Sequence, residues 1–219
     1  RCVEGNMLFV QKRGLSQRAM NRIRRLAAFP NPGFHAKQRM RMSTFGIPRI
    51  ICAAEETEQW IALPRGLRGS LETLADGARV ATSFEDQRET GRPLAIRFNG
   101  ELRMDQVFAV DALESEDGGV MAAATAFGKT VAAIALIARI GRSALILVHT
   151  QALLSQWKLA LARFLVAAES GASVEVGQLG GGVNTLNGRL DVATVQSLGN
   201  EDFAHAGGVR GYGVVVVDE

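Results

Sequence analysis

Ala123-Ala124-Thr125-Ala126-Phe127-Gly128-Lys129-Thr130 runs without a break into Val131-Ala132-Ala133-Ile134-Ala135-Leu136-Ile137. Gly128 lets the backbone approach a bulky anion, Lys129 brings a positive charge to it, and the Thr130 hydroxyl can hold a divalent cation. The apolar residues after Thr130 predict a helix over 131–140, whose first amides and positive dipole end face the same anion. The apolar stretch 120–123 reads as a strand leading in. Strand, loop and helix in that order are the context in which a Gly-Lys-Thr tripeptide binds a triphosphate. Ala123 and Ala126 stand where such loops often carry glycine, and an alanine narrows the loop shapes allowed.

Beyond the loop, helices and apolar strands alternate. The pattern predicts strands over 144–149, 174–179, 190–195 and 212–218, with helices over 105–113 and 153–165. Continuous Val/Ile/Leu strands separated by helices predict a parallel sheet with helices on both faces. Ligands of such sheets bind at the carboxyl ends of the strands. The loop and the pair Asp218-Glu219, delivered by four valines, are both expected there. An acid at that place can hold Mg²⁺, and its neighbour can polarise an attacking water.

Residues 1–98 read differently, as a small basic α+β module. Ser16 is placed to cap a helix over 17–29, with Ala19, Ile23, Leu26 and Ala27 on one stripe and Arg18, Arg22 and Arg25 on another. Strands are expected over 49–52 and 60–63, a helix over 67–74, and a hairpin pairing 79–84 with 93–98. Asn99-Gly100 marks the boundary to a second domain over 99–219. The formal charge is only +3, yet residues 1–49 hold eleven Lys/Arg against one acid, Glu4. Such asymmetry points to a polyanion partner, most commonly nucleic acid.

The remaining composition excludes several classes. Hydrophobic residues make up 47 % of the chain, enough for a core and too many for a disordered protein. The longest apolar runs are too short to span a bilayer, and no charged-then-apolar leader opens the chain, so a cytoplasmic location is expected. Cys2 and Cys52 lack metal or redox spacing, and His35, His149 and His205 are scattered. Trp157 shares helical spacing with Leu153, Leu154 and Leu161 and reads as core.

With these elements in order, the chain from Glu101 resembles the superfamily-two helicases. Ala123 to Thr130 resembles their motif I, usually Ala-x-Thr-Gly-x-Gly-Lys-Thr, with only Ala126 departing. Asp218-Glu219 resembles the opening of the DEAD/DEAH box. Leu147-Val148-His149 with Leu153-Leu154 and Gln156-Trp157 is similar to motif Ia, with Thr150 where relatives often carry Arg. Thr194-Val195-Gln196-Ser197-Leu198 is similar to motif Ib, and Leu102-Arg103-Met104-Asp105-Gln106 to the element preceding motif I. Ala-Phe-Gly-Lys-Thr and Gln-Trp are most similar to XPB-like and type III restriction-subunit-like members. Asn31-Pro32-Gly33-Phe34, Met42-Ser43-Thr44-Phe45 and Ile61-Ala62-Leu63-Pro64-Arg65-Gly66 resemble the segment preceding the core in conflict-system and mobile-element helicases.

The resemblance implies a RecA-like domain that binds ATP and Mg²⁺ and serves an ATP-dependent DNA helicase or translocase. By it, Gly128, Lys129 and Thr130 hold the phosphates and metal, with Thr125, Ala126 and Phe127 completing the loop, and Gln106 meets the base. Asp218 holds the metal, and Glu219 activates water alongside Lys129 as the catalytic pair. Gln151, Gln196 and Ser197 line the nucleic-acid path, with Arg18, Arg22 and Arg25 as contacts from the basic module. The implied partners are nucleic acid, DNA ahead of RNA, and a second RecA-like domain supplying an arginine. Without it the 219 residues alone are expected to turn ATP over poorly. Two rivals are a nucleic-acid-binding module with a vestigial pocket and a phosphate-loop ATPase that does not act on nucleic acid.

Overall fold

A computed structural model of the chain describes residues 1–199 and 210–218. It divides into two compact units, Arg1–Arg88 and Glu89–Glu219.

In the first unit, β1 (Cys2–Glu4) and β2 (Leu8–Gln11) form a hairpin, followed by α1 (Gln17–Leu26), β3 (Ala28–Pro30), α2 (Pro32–Arg39), β4 (Ile50–Cys52), β5 (Glu55–Glu56), β6 (Trp60–Leu63), α3 (Arg68–Gly77) and β7 (Phe84–Asp86). The five-stranded sheet has the order β5-β6-β2-β1-β7 and is antiparallel except for β1 against β7. Alternate residues of β2, Leu8 and Val10, turn inward beside Ile61 and Leu63, where Ile23 and Ala27 of the α1 region and Leu71 of α3 close the core. Ser16 caps α1 as expected, its Oγ accepting from the Ala19 amide at 3.2 Å. The helix stops at Leu26 rather than Phe29. Phe29 precedes Pro30, which disfavours helical backbone at Phe29, and 28–30 pair instead with β4.

The expected hairpin between 79–84 and 93–98 does not form. Phe84–Asp86 lies parallel to β1 in the first unit. Ile96–Phe98, here β8, pairs with Leu165–Ala167 in the second. Period-two alternation marks a segment as a strand and leaves its partner undetermined. That pairing puts residues 89–98 in the second unit, ten residues ahead of the boundary expected at Asn99.

The second unit continues with α4 (Met104–Glu114), α5 (Lys129–Ile140), β9 (Ala144–Val148), α6 (Gln151–Phe164), β10 (Leu165–Ala167), β11 (Gly177–Gly180), β12 (Val183–Asn184), β13 (Leu190–Thr194), α7 (Val195–Leu198) and β14 (Val214–Asp218). Its main sheet has the order β12-β11-β13-β9-β14, parallel apart from the edge strand β12. One face carries Ala144, Ile146, Val148, Leu190 and Val192 beneath Ile134 and Ile137 of α5 and Leu154, Trp157 and Leu161 of α6. The other carries Leu145, Leu179 and Ala193, against which Leu198 of α7 and Tyr212 pack. The fold is α/β, a RecA-like parallel sheet flanked by helices. Residues 120–123 are not a strand: they have no regular structure, and Val120 is 92 % exposed. Two of the four are alanines, which fit a pleated sheet poorly, and Gly118-Gly119 precede them. Among the described residues no helix is long and apolar enough to cross a membrane.

Candidate functional site

Three strand ends lie level at the carboxyl edge of the sheet. Val148 of β9 is in register with Thr194 of β13 on one side and Asp218 of β14 on the other. The twelve residues of α5 rise about 18 Å and return through 141–143 into β9. A helix packed back along a strand of roughly 17 Å brings its N-terminus to that edge. The phosphate loop therefore sits at the end of the sheet where Asp218 emerges.

Gly128 precedes α5 with φ 83°, left-handed backbone that glycine adopts without strain. Among the described residues the amides of Lys129, Thr130 and Val131 take no acceptor, and the first turn holds no acid. These are the unpaired donors and positive dipole end that suit a phosphate. Lys129 Nζ donates to the Ala123 carbonyl at 2.7 Å, so the ammonium closes over the loop. An ammonium has two further hydrogens for an anion. Ala126 has φ 65°, the left-handed region reached here by a residue with a Cβ. Thr125 and Ala126 are exposed, whereas Phe127 packs toward Val110, Ala132 and Ala135.

The loop is braced from α4. Gln106 is buried, its Oε1 accepting from the Arg103 amide at 3.0 Å and its Nε2 donating to the Phe127 carbonyl at 2.8 Å. Arg103 Nη2 donates to that same carbonyl at 2.5 Å. Both lone pairs of one loop carbonyl are thus used by the segment preceding the loop. Sequence reasoning singled out Gln106 for a base and missed this bracing and the part of Arg103 in it.

Asp218 is held as well as delivered. The buried Trp157 of α6 donates its indole N–H to Asp218 Oδ2 at 2.7 Å. Trp157 is core, as expected, and it also orients the acid at the strand end. The signal available was the Gln156-Trp157 pair itself. Glu219 lies outside the described residues, as does His205.

The nucleic-acid candidates of this unit gather beside the same edge. Gln196 Nε2 donates to the His149 carbonyl at 3.0 Å, and Ser197 Oγ lies 2.7 Å from Thr194 Oγ1. Gln151 opens α6 after the Thr150 cap and lies against the Gly180-Gly181-Gly182 loop. In the first unit, Arg18, Arg22 and Arg25 are all exposed on α1 and make no ion pair among the described residues. Arg24, between them, is spent: with Lys12 it binds Glu56, and these hydrogen bonds hold that carboxyl down to about 2.

A parallel RecA-like sheet with a phosphate loop and an aspartate at its carboxyl edge is the arrangement of a phosphate-loop nucleotide-binding domain, and its relatives make it a helicase-type ATP-binding domain. The model of the family described as type III restriction enzyme, res subunit, matches residues 99–219, and the chain belongs to that family. It is 30 % identical over 164 residues to a putative DNA 3'-5' helicase Rad25 of Halobacterium salinarum, covering 75 % of this chain and 26 % of that protein. A protein of the same description from Haloarcula marismortui is 29 % identical over 131 residues, 60 % of this chain and 20 % of the relative. The chain thus spans about a quarter or less of these relatives. In fold it is similar to the UvsW helicase of bacteriophage T4, with TM-score 0.60 and 17 % identity over 93 % of this chain and 77 % of that one.

Proposed function

We propose that the second unit is the ATP-binding half of an ATP-dependent DNA helicase or translocase. The observation that carries this is the loop itself: among the described residues the amides of Lys129, Thr130 and Val131 take no acceptor, Lys129 Nζ donates to the Ala123 carbonyl, and Asp218 ends the strand beside β9. DNA is proposed as the track because two relatives are described as putative DNA helicases.

The residues fit Mg²⁺-ATP. Thr130 and Asp218 offer hard oxygens, and the described residues contain no cluster of three His, Cys, Asp or Glu. Mg²⁺ is usually held in this way, by one or two protein oxygens with phosphates and waters completing the octahedron. When bound, it supplies charge neutralisation between the phosphates. Lys129 would meet the phosphate oxygens, and Trp157 would keep Asp218 aimed. Gln106 would keep one N–H for the adenine edge while its other bonds hold the loop. Glu219 would take a proton from the attacking water. Gln151, Gln196 and Ser197 would contact phosphate and sugar and so read no sequence.

The test is Mg²⁺-ATP affinity by calorimetry for wild type and Lys129→Ala. Loss of charged hydrogen bonds should weaken binding by about 1.5–3 kcal/mol. Equal affinities would sink the proposal. They would favour instead a nucleic-acid-binding module with a vestigial pocket, a reading to which the left-handed Ala126 lends support.

A further inference from the structure

Between β3 and β4 the chain makes an excursion over residues 31–49 that contributes nothing to the core of its unit. Its stem is firmly closed. β3 and β4 pair at Pro30 and Ile50, the Asn31 amide donates to the Arg49 carbonyl at 2.9 Å, and Asn31 Nδ2 donates to the Pro48 carbonyl at 2.8 Å. The helix on it, α2, is well made at its ends, with Asn31 Oδ1 accepting from the Gly33 amide and Pro32 in the first turn. Yet α2 has no buried residue. Eight residues are too few to form a helix in water by propensity alone. The helix is held by its caps and stem: Phe34, His35 and Ala36 are partly buried, and its other residues are exposed.

At the tip, Thr44-Phe45-Gly46-Ile47 forms a turn closed by the Ile47 amide on the Thr44 carbonyl at 3.1 Å, with Gly46 at φ 75°. Phe45 occupies the projecting position and is 97 % exposed. Met40 and Met42 nearby are 69 % and 56 % exposed. A phenylalanine ring fully in water is stabilised by nothing in its own fold, and with Met40 and Met42 it makes a short stretch of exposed large apolar side chains, of the kind that marks a contact surface.

Charge decides what kind of surface. No acid occurs anywhere between Glu4 and Glu55. The excursion carries Lys37, Arg39, Arg41 and Arg49, all exposed and none ion-paired among the described residues. Arg41 and Arg49 each stand four residues from Phe45, within about 13 Å of chain. Four such cations with no acid beside them in sequence complement a polyanion, and an aromatic platform flanked by cations is how single-stranded nucleic acid is gripped: bases stack, and phosphates meet the cations.

We infer that the 31–49 excursion is a base-stacking site for single-stranded nucleic acid, with an unstacked base on the Phe45 ring and the adjoining phosphates on Arg41, Arg49, Lys37 and Arg39. Its residues are distinct from Arg18, Arg22 and Arg25 of α1. It rests on the proposed action on nucleic acid only in the choice of partner, and it does not depend on the nucleotide pocket.

The test compares the 219-residue chain with Phe45→Ala and Phe45→Trp, using a labelled 20-nucleotide deoxythymidine strand and an abasic strand of equal length and charge. Phe45→Ala should weaken binding of the base-bearing strand about tenfold, leave the abasic strand unchanged, and keep the slope of affinity against salt. Phe45→Trp should restore the base-bearing affinity. Equal loss on both strands, or no loss on either, would overturn the stacking site. So would a Phe45-dependent affinity for anionic phospholipid vesicles without one for DNA. If the wild type binds DNA and Phe45→Ala binds it equally well, only this inference falls. If the wild type binds neither strand at low salt, the proposed action on nucleic acid falls with it.

Discussion

Two loops of the second unit ask the same thing of the backbone and obtain it differently. The phosphate loop takes left-handed φ at Ala126 (65°) and Gly128 (83°), and the turn from the last residue of β11 takes positive φ at Gly180, Gly181 and Gly182 (145°, 64° and 77°). The second uses glycine three times, while the first uses alanine once. Space separates Ala126 from Gly128, Gly180 and Gly181, while a Cβ on Gly182 would meet nothing within 4 Å. A Cβ on Gly180 or Gly181 would come within 2.9 and 3.0 Å of the Gln151 side chain, and one on Gly128 within 2.6 Å of Gln106 Nε2. The Ala126 methyl belongs to an exposed residue. Left-handed backbone alone costs roughly 1–2 kcal/mol, which a loop can bear. Glycine becomes necessary where the space is also taken.

The comparison breaks most severely at Gly128. Gly128→Ala should destabilise the chain by about 2–4 kcal/mol, adding the left-handed penalty to the loss of a buried hydrogen bond. Gln106 cannot step aside cheaply, because it is buried and bonded at both ends of its amide. Denaturant unfolding reads the change. A loss under 1 kcal/mol would mean that the Gln106–Phe127 tie is not what holds the loop.

Gly181→Ala should cost less, roughly 1–2 kcal/mol, although its clash looks similar. The obstructing group is the end of Gln151, an exposed side chain free to swing away. Stability would therefore change mainly through backbone strain, while Gln151 moves off the candidate nucleic-acid edge. A destabilisation matching that of Gly128→Ala would show that space around Gln151 is as tight as around Gln106.

These loops also mark how far the sequence could be read. The helices at 131–140 and 153–165 and the strands at 144–149 and 190–195 are legible because each places an apolar stripe or run against one core, and the helix at 105–113 sets Val110 against Ala132 and Ala135 in a cluster of its own. The order of motifs was enough to bring Gln151, Gln196, Ser197 and Asp218 to one edge. Partner choice was not legible. Phe84 and Ile96 alternate as a hairpin would, yet their pairings lie in different units. Nor do residues 120–123, with two alanines, hold the strand their apolarity promised. The ties that shape the site, Trp157 to Asp218 and Arg103 with Gln106 to Phe127, join residues 21 to 61 positions apart. Such pairs leave no periodic trace.

Ala126 gives the smallest effect and the most pointed one. Its alanine stood out in the sequence as the single departure from motif I, and its φ of 65° now gives that departure a physical cost. Ala126→Gly removes the roughly 1–2 kcal/mol of left-handed strain and adds about 0.5–1 kcal/mol of unfolded-chain entropy. The net expectation is a gain of about 0.5–1 kcal/mol in unfolding free energy, an unusual sign for a glycine introduced into a folded loop. Denaturant midpoints at constant slope would register it. A loss instead would mean that the loop relaxes Ala126 out of the left-handed region, and the contrast with Gly180 and Gly181 would then rest on conformation as well as space.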